Sequence, residues 1–482
     1  MKKWLQKPKK ALALATGILL LFLCLVINPF SLNSSSNLVL SVAVLMISWW
    51  VLDALPLPVV ALVPLVLFPL LNISNIKTVA VSYSDPNIYL FMGGFLIGIG
   101  IEKWNLHKRI ALNIIKRTGT NGNRIILGFI ISTGFLSLWL SNTATTMMMF
   151  PVALSVIQVI GAHHEQGRQL RHFSVALMLS IAYASNLALG TIIGTPPNVA
   201  YVNYISDRLG YTIGFTDWMI IFIPLTIVLM LLLYLVLVKW LYPNHIRHSD
   251  SGHRFISDEL EKLGKWSKAE KRLAAVFSIT VFLWIGKDLI NMIQHSFILD
   301  DTIIAMIGGL SLFIIPSGEN DTARLLEWED TRKMAWGILL LFGGGIALAK
   351  ALEDAGLMQE FGNFLASYST GNGLLMIFVV TTASIFLSEL MSNVAQVIVM
   401  APVITSLAIS LKMDPLLLGI PMTLGASCAG MLPMGTPPNA IVFGSGHIKM
   451  KEMLKAGFVM NLICAIVITL FCYYLQPILM KV

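Results

Sequence analysis

Residues 125–160 contain no Lys, Arg, Asp or Glu, yet Ser141, Asn142 and Thr143 stand in a row near their centre. In hydrocarbon an unpaired hydroxyl or carboxamide is costly, so such a triplet must line a cavity, meet another protein group or bind something. It recurs once: Ser141 to Val152 reads SNTATTMMMFPV and Ser392 to Val403 reads SNVAQVIVMAPV, a shift of 251 residues with Pro151 and Pro402 in register. At the same shift LFMGG from Leu90 aligns with LFGGG from Leu341, Glu102 with Glu353 and Leu106 with Leu357. Further on, GTPPN from Gly194 returns from Gly435, shifted by 241. Three landmarks in one order make the chain two copies of one unit. Duplication with interrupted apolar segments at matching places is the sequence mark of a secondary transporter.

The bulk of the chain agrees. It is 56% hydrophobic and 12% charged, which excludes a soluble domain, and many apolar runs are long enough to cross a hydrocarbon core of about 30 Å. The net charge of +8 sits in short loops between those runs, where membrane topology explains it without nucleic acid. Cys24, Cys428, Cys464 and Cys472 lie in apolar surroundings without metal-type spacing and read as packing residues.

Residues 1–10 carry five lysines ahead of an apolar run at 11–27 with no evident cleavage site after it, predicting an uncleaved anchor and a cytoplasmic N-terminus. This tail and first span occupy 1–37, and the first copy occupies 38–238. Pro56 and Pro58 lead into a third span ending near Leu71; proline is tolerated at a helix start because the first amides lack intrahelical partners. Gly93, Gly94, Gly98 and Gly100 permit close helix contact. Residues 103–124 interleave six Lys or Arg with Leu106, Ile110, Ile114 and Ile115, the pattern of an amphipathic helix on the inner surface. The segment at 125–160 has two short arms and basic flanks, and reads as a re-entrant hairpin tipped by Ser141 to Thr143.

Residues 239–272, with eight Lys or Arg against five Asp or Glu, read as a cytoplasmic linker, and His245, His248 and His253 as solvated rather than metal-binding. The second copy, 273–482, places its hairpin at 374–409 with Ser392 to Val394 at the tip. Five crossings separate Phe91 from Phe342, an odd number, so the copies are inverted. That topology leaves 27 of the 33 Lys and Arg inside and six outside (Lys77, Arg208, Lys287, Lys350, Lys412, Lys481), the bias of a cell-membrane protein with its N-terminus in the cytoplasm. The expected fold is all-α: a polytopic membrane protein of two inverted repeats, each with a re-entrant hairpin and a broken helix, with about 11 transmembrane helices.

Inverted hairpins bring their tips together near the midplane. A helix starts at each tip, and its free amides and dipole direct roughly half a positive charge at the meeting place. Ser and Asn suit those starts because their side chains cap the amides. Such tips, without Lys or Arg, form a site for a small doubly charged anion, and a cation is implied beside it. Where GTPP breaks its helix, freed carbonyls beside Ser and Asn oxygens are the hard ligands sodium takes.

The paired hairpins, the paired GTPPN breaks, the ALPLPVVALVPLVLFP entry from Ala54 and the closing NAIVFGSG from Asn439 resemble the divalent anion:sodium symporter family, carriers of di- and tricarboxylates or sulfate. The resemblance covers nearly the whole chain after about residue 38. It implies one sodium site at Ser137, Ser141, Asn142 and the Gly194 carbonyl, and another at Ser388, Asn393 and the carbonyls of Met391 and Gly435. Substrate carboxylates would meet Ser141, Asn142 and Thr143 on one side and Ser392, Asn393 and position 394 on the other, with Thr195, Pro196, Thr436 and Pro437 closing the site. Position 394 departs from the fuller motif, carrying Val where the family has Thr, which removes a hydroxyl. The resemblance further implies a homodimer in the lipid bilayer, a scaffold and a mobile transport domain, and co-transported sodium with no organic cofactor.

The expected activity is sodium-coupled symport of C4 dicarboxylates such as succinate, malate and fumarate. A sodium-independent exchanger and a sulfate or tricarboxylate carrier share the same fold. A polytopic membrane enzyme is the reading from another class, and the sequence has no HExxH, GxSxG or Walker A to carry one. Glu389, four residues before Asn393, either carries a coupling proton or braces the hairpin. Glu102 and Glu353 read as structural groups near the membrane edges.

Overall fold

The computed structural model describes residues 8–28, 32–119, 121–163, 167–244, 246, 250–293, 298–319, 324–357, 360 and 372–480. His245, His248 and Lys481 lie outside the described residues, as does the side chain of His253. Apart from one bridge between Pro316 and Arg324, the regular structure among the described residues is helical. Seven of these helices are long and apolar enough to cross a membrane, and five more apolar helices are shorter.

Ahead of the first copy, α1 (Pro8–Ile27) is packed on α2 (Ser34–Val51). The span predicted to end near Leu71 is two short helices, α3 (Leu57–Val60) and α4 (Val63–Leu70). Pro64, in the first turn of α4, has no amide to give the Val60 carbonyl, and neighbouring chain packs against the break. The Ala61 carbonyl accepts the Tyr83 hydroxyl at 2.5 Å, and Gly344 of the second copy approaches so closely that a Cβ there would stand 2.2 Å from the same oxygen. Then come α5 (Ile76–Val81), α6 (Pro86–Lys103) and α7 (Leu106–Thr118). The hairpin arms α8 (Gly122–Ser137) and α9 (Asn142–His163) follow, with α10 (Arg168–Asn186), the break, α11 (Pro196–Leu209) and α12 (Phe215–Leu235), which continues as π-helix over Val236–Leu241.

The stretch predicted as a solvated linker is helical at its centre, α13 (Asp250–Lys262), and is tied down. Lys108 of α7 reaches Glu259 at 2.9 Å. Arg109, 5% exposed, grips Glu270 through Nε (2.8 Å) and Nη2 (3.0 Å) and donates to the Gly264 carbonyl at 2.9 Å. The amphipathic helix thereby buries the charge of Arg109, because paired charge tolerates burial, while Lys116 and Arg117 stay exposed.

The second copy comprises α14 (Lys268–Ile293), α15 (Asp301–Ile314), α16 (Trp336–Asp354), the hairpin arms α17 (Gly373–Ser388) and α18 (Asn393–Ser410), α19 (Pro415–Ala426), α20 (Pro437–Phe443), α21 (Met450–Tyr474) and α22 (Gln476–Met480). The bounds of the first hairpin arms and the starts of the second arms and of the helices after the breaks repeat to the residue. Both hairpins start behind an asparagine cap, Asn121 accepting the Arg124 amide at 2.8 Å and Asn372 the Leu375 amide at 3.2 Å, and both first arms end on serine, Ser137 and Ser388. The second arms begin at Asn142 and Asn393, and the helices after the breaks at Pro196 and Pro437, where proline is pre-set for a first helical turn.

The copies are packed through each other. α6 of the first lies on α15 of the second, with Gly93 so close that a Cβ would stand 2.4 Å from the Ala305 backbone. α16 of the second lies on α3 and the turn Ser82–Ser84 of the first, with Gly344 on Ala61. Each glycine-rich helix therefore needs the other copy to complete its burial.

Candidate functional site

In the first hairpin, Ser141 takes the Ala144 amide on its hydroxyl at 3.2 Å and the Thr145 amide on its carbonyl at 3.0 Å, forming the cap expected of a helix start. Ser141, Asn142 and Thr143 are half-buried. Behind them, Ser137 Oγ and Asn142 Oδ1 are buried without a hydrogen-bond partner among the described residues, as are Thr133 Oγ1 and Thr145 Oγ1. Gly194 is beside them: a Cβ there would lie 3.3 Å from the Ser137 carbonyl. Hydroxyl, carboxamide and carbonyl oxygens left over in a buried place are a donor set that suits a small hard cation.

The second hairpin answers the same positions differently. Ser388 donates to Asn393 Oδ1 at 2.7 Å and also to the Ala426 carbonyl. Gln396, equivalent to Thr145, donates to Ser384 Oγ, equivalent to Thr133, at 2.6 Å. Val394 is buried, while Ser392 and Met391 are half-buried. Among the predicted oxygens here, Asn393 Oδ1 is engaged by Ser388, so a cation would take the place of that bond. Gly435 lies against Glu389, 2.8 Å from Oε2 to a built Cβ.

Glu389 itself is 3% exposed and saturated. Oε1 accepts the amides of Gly430 and Met431 at 2.7 Å and Asn461 Nδ2 at 2.8 Å, and Oε2 accepts the Leu432 amide at 2.9 Å. Four converging N–H donors hold a carboxylate, and the group pins the loop that precedes Thr436. Of the two sequence readings, the geometry favours the brace.

The two breaks meet. Asn186 Nδ2 donates to Thr436 Oγ1 at 3.0 Å, and Ser427 Oγ donates to Thr195 Oγ1 at 3.3 Å. These are one contact made twice, since 186 and 427 differ by 241, as do 195 and 436. Reciprocal contacts of this kind are what a pseudo-two-fold axis produces. The hairpins obey it too: α9 packs on α20 and α18 packs on α11. Thr195 and Thr436 are buried at this junction, Pro196 is half-buried and Pro437 is exposed. No hydrogen bond joins one tip to the other among the described residues, so the breaks link the halves. Asn186, Ser427 and Asn461 escape the sequence reading; carrying the 241-residue alignment ahead of GTPPN finds the first two, and the third is a carboxamide inside the last span.

A helix start capped by Ser141, an uncapped one at Ser392, leftover oxygens and two proline-broken helices meeting in an apolar helical body define a membrane transporter. Residues 7–482 match the family described as sodium:sulfate symporter, transmembrane region, and the chain belongs to that family. It is 37% identical to the sodium-dependent dicarboxylate transporter SdcS of Staphylococcus saprophyticus, over 96% of this chain and 91% of the relative. It is likewise 37% identical to the protein of that name from Staphylococcus aureus strain USA300, over 99% and 94%. The solved YdaH transporter of Alcanivorax borkumensis shares the fold, with a TM-score of 0.60 at 13% identity over 83% of this chain and 87% of that one.

Proposed function

We propose that this protein is a sodium-coupled symporter of C4 dicarboxylates, working by alternating access in the cell membrane with its N-terminus in the cytoplasm. The observation that carries the reading is the buried, partnerless pair Ser137 Oγ and Asn142 Oδ1 next to the capped helix start at Ser141. A cation there compensates one charge of an anion held by the helix starts, so each ligand raises the affinity for the other. Sodium at the first hairpin uses Ser137, Ser141, Asn142 and the Gly194 carbonyl; at the second it uses Ser388, Asn393 and the carbonyls of Met391 and Gly435. Substrate carboxylates take Ser141, Asn142 and Thr143 on one side and Ser392 and Asn393 on the other, against Thr195, Pro196, Thr436 and Pro437. Val394 leaves the second tip one hydroxyl short and so weights binding toward the first. The name carried by the two relatives supports both sodium and dicarboxylate. The repeats are inverted across the membrane, and two chains form a homodimer.

The test is uptake of labelled succinate into proteoliposomes with an inward sodium gradient or with choline in its place. Sodium-dependent uptake that is lost in Asn142→Ala and Asn393→Ala is the expected result. Uptake indifferent to sodium but dependent on internal dicarboxylate would make the protein an exchanger. Sodium-dependent uptake of sulfate in place of succinate would move the substrate to the inorganic anion.

A further inference from the structure

We propose that the ion pair between Arg208 and Glu353 is a latch that holds one end of the transport pathway shut while the other end stands open; the inference rests on the alternating-access reading above. Glu353 Oε2 meets Arg208 Nη1 at 2.9 Å, joining α16 to the helix that follows the first break. The Arg208 side chain is only 12% exposed. The repeat-equivalent glutamate, Glu102, makes no such connection: its partner is Lys333 at 2.8 Å, in the 3-10 turn leading into α16.

Glu102 lines one cavity and Arg208 another, and the cavities are equivalent. Phe91, Gly94 and Gly98 line one, and Phe342, Gly345 and Ala349, each 251 residues later, line the other. The Glu102 cavity measures about 80 Å³ and reaches Ser141 at the first tip. The cavity at Arg208 has shrunk to about 20 Å³, room for a single water.

Two further differences run the same way. A Cβ on Gly94 would find nothing nearer than Ile193 at 3.7 Å, whereas one on Gly345 would press Ile398 at 2.7 Å. Met147 is 60% exposed and its equivalent Ile398 9%. The registers differ too: α6 meets its hairpin at the tip, Gly98 facing Leu140, and α16 meets its own at Ile398, more than a helical turn past Asn393. Two copies of one interface thus stand in two conditions: on the open side the glutamate pairs with Lys333, and on the closed side it is tied to the helix that follows the break. Among the described residues, the Arg208–Glu353 pair ties α16 to the helix after a break, and the open side has no ion pair of that kind.

Breaking the pair shifts the population toward opening at the closed end. Gly98→Cys and Ala349→Cys place a reporter at equivalent positions of the two cavities; the four native cysteines are buried. Labelling by a membrane-impermeant maleimide is followed in nanodiscs, where both faces are reachable, without sodium or substrate. In the parent background Cys at 98 reacts fast and Cys at 349 slowly. Adding Glu353→Gln or Arg208→Gln raises the rate at 349 by about threefold to fivefold and lowers it at 98, as expected for loss of a rim ion pair. The exchanged pair Arg208→Glu with Glu353→Arg restores the parent rates. Unchanged rates at both positions overturn the latch. Rates rising together at both overturn it as well, since that is loosening of the fold. Because no substrate is present, failure of symport in the uptake assay leaves this result readable, and failure of the latch leaves the uptake result intact.

Discussion

The two hairpins share their first arms and the starts of their second arms to the residue, and differ in how they satisfy their own polar atoms. In the first, Thr133, Ser137, Asn142 and Thr145 each leave a buried oxygen without a partner. In the second, the equivalent residues bond to one another, Ser388 to Asn393 and Gln396 Nε2 to Ser384, and only Gln396 Oε1 of this set is buried without a partner among the described residues. The loops before the breaks differ in the same sense. The Thr191 hydroxyl ties the first to the Leu138 carbonyl at 2.5 Å, and the second hangs on the Glu389 carboxylate, which stands where the first copy has Leu138. The two copies thus divide the polar work: the second hairpin spends most of these atoms on its own hydrogen bonds, and the first leaves them unspent.

The largest effect that tests this contrast is at Glu389. Glu389→Ala strands four N–H donors and should cost on the order of 3–5 kcal/mol in unfolding, with Glu389→Gln between it and the parent. A parent-like thermal midpoint for Glu389→Ala would remove the brace from the comparison. Next come the glycines of the two cavities: Gly345→Ala should destabilise by roughly 1–3 kcal/mol through the Ile398 contact, and Gly94→Ala should be neutral or mildly stabilising. Equal effects at the two positions would mean that the cavities are alike.

Smaller again, Ser388→Ala should cost about 1–2 kcal/mol, because Asn393 and Ala426 lose their donor. Ser137→Ala should leave the melting curve unchanged and instead raise the half-saturating sodium concentration for uptake by about tenfold or more. The smallest effect concerns Glu259, whose hydrogen bonds from Lys262 and Lys108 hold its carboxyl below the usual range. A depressed carboxylate adds stability above its ordinary titration range and loses it as pH falls through the lowered value. The parent should accordingly exceed Glu259→Gln in thermal midpoint at neutral pH and converge with it in acid. A constant gap at every pH would assign the effect to packing.

Much of this was legible because its physics is local. Asn121, Asn372 and the paired prolines cap or start helices within a turn, and the triplet at Ser141 stands out by transfer cost alone. The split at Ala61 has a local signal in Pro64, but the close approach of Gly344, far along the chain, was not legible. Asn186 and Ser427 carry no motif, and what they do is set by partners roughly 250 and 230 residues away in the opposite copy. Arg109 looked like one more surface cation; its burial depends on Glu270, in a stretch whose mixed charge read as solvated. Glu389 could be flagged as an acid out of place, but choosing between proton carrier and brace required the direction of three backbone amides.

The exchange of glycine faces between the copies also sets a timetable for synthesis. Ala61 leaves the ribosome 283 residues before Gly344, its eventual neighbour. At roughly 5–20 residues per second that is a quarter of a minute to a minute during which the first half is inserted but unfinished. For that interval its groove at Ala61 can be filled only by lipid or by the insertion machinery, so a stalled ribosome leaves an incomplete surface in the bilayer rather than a working half.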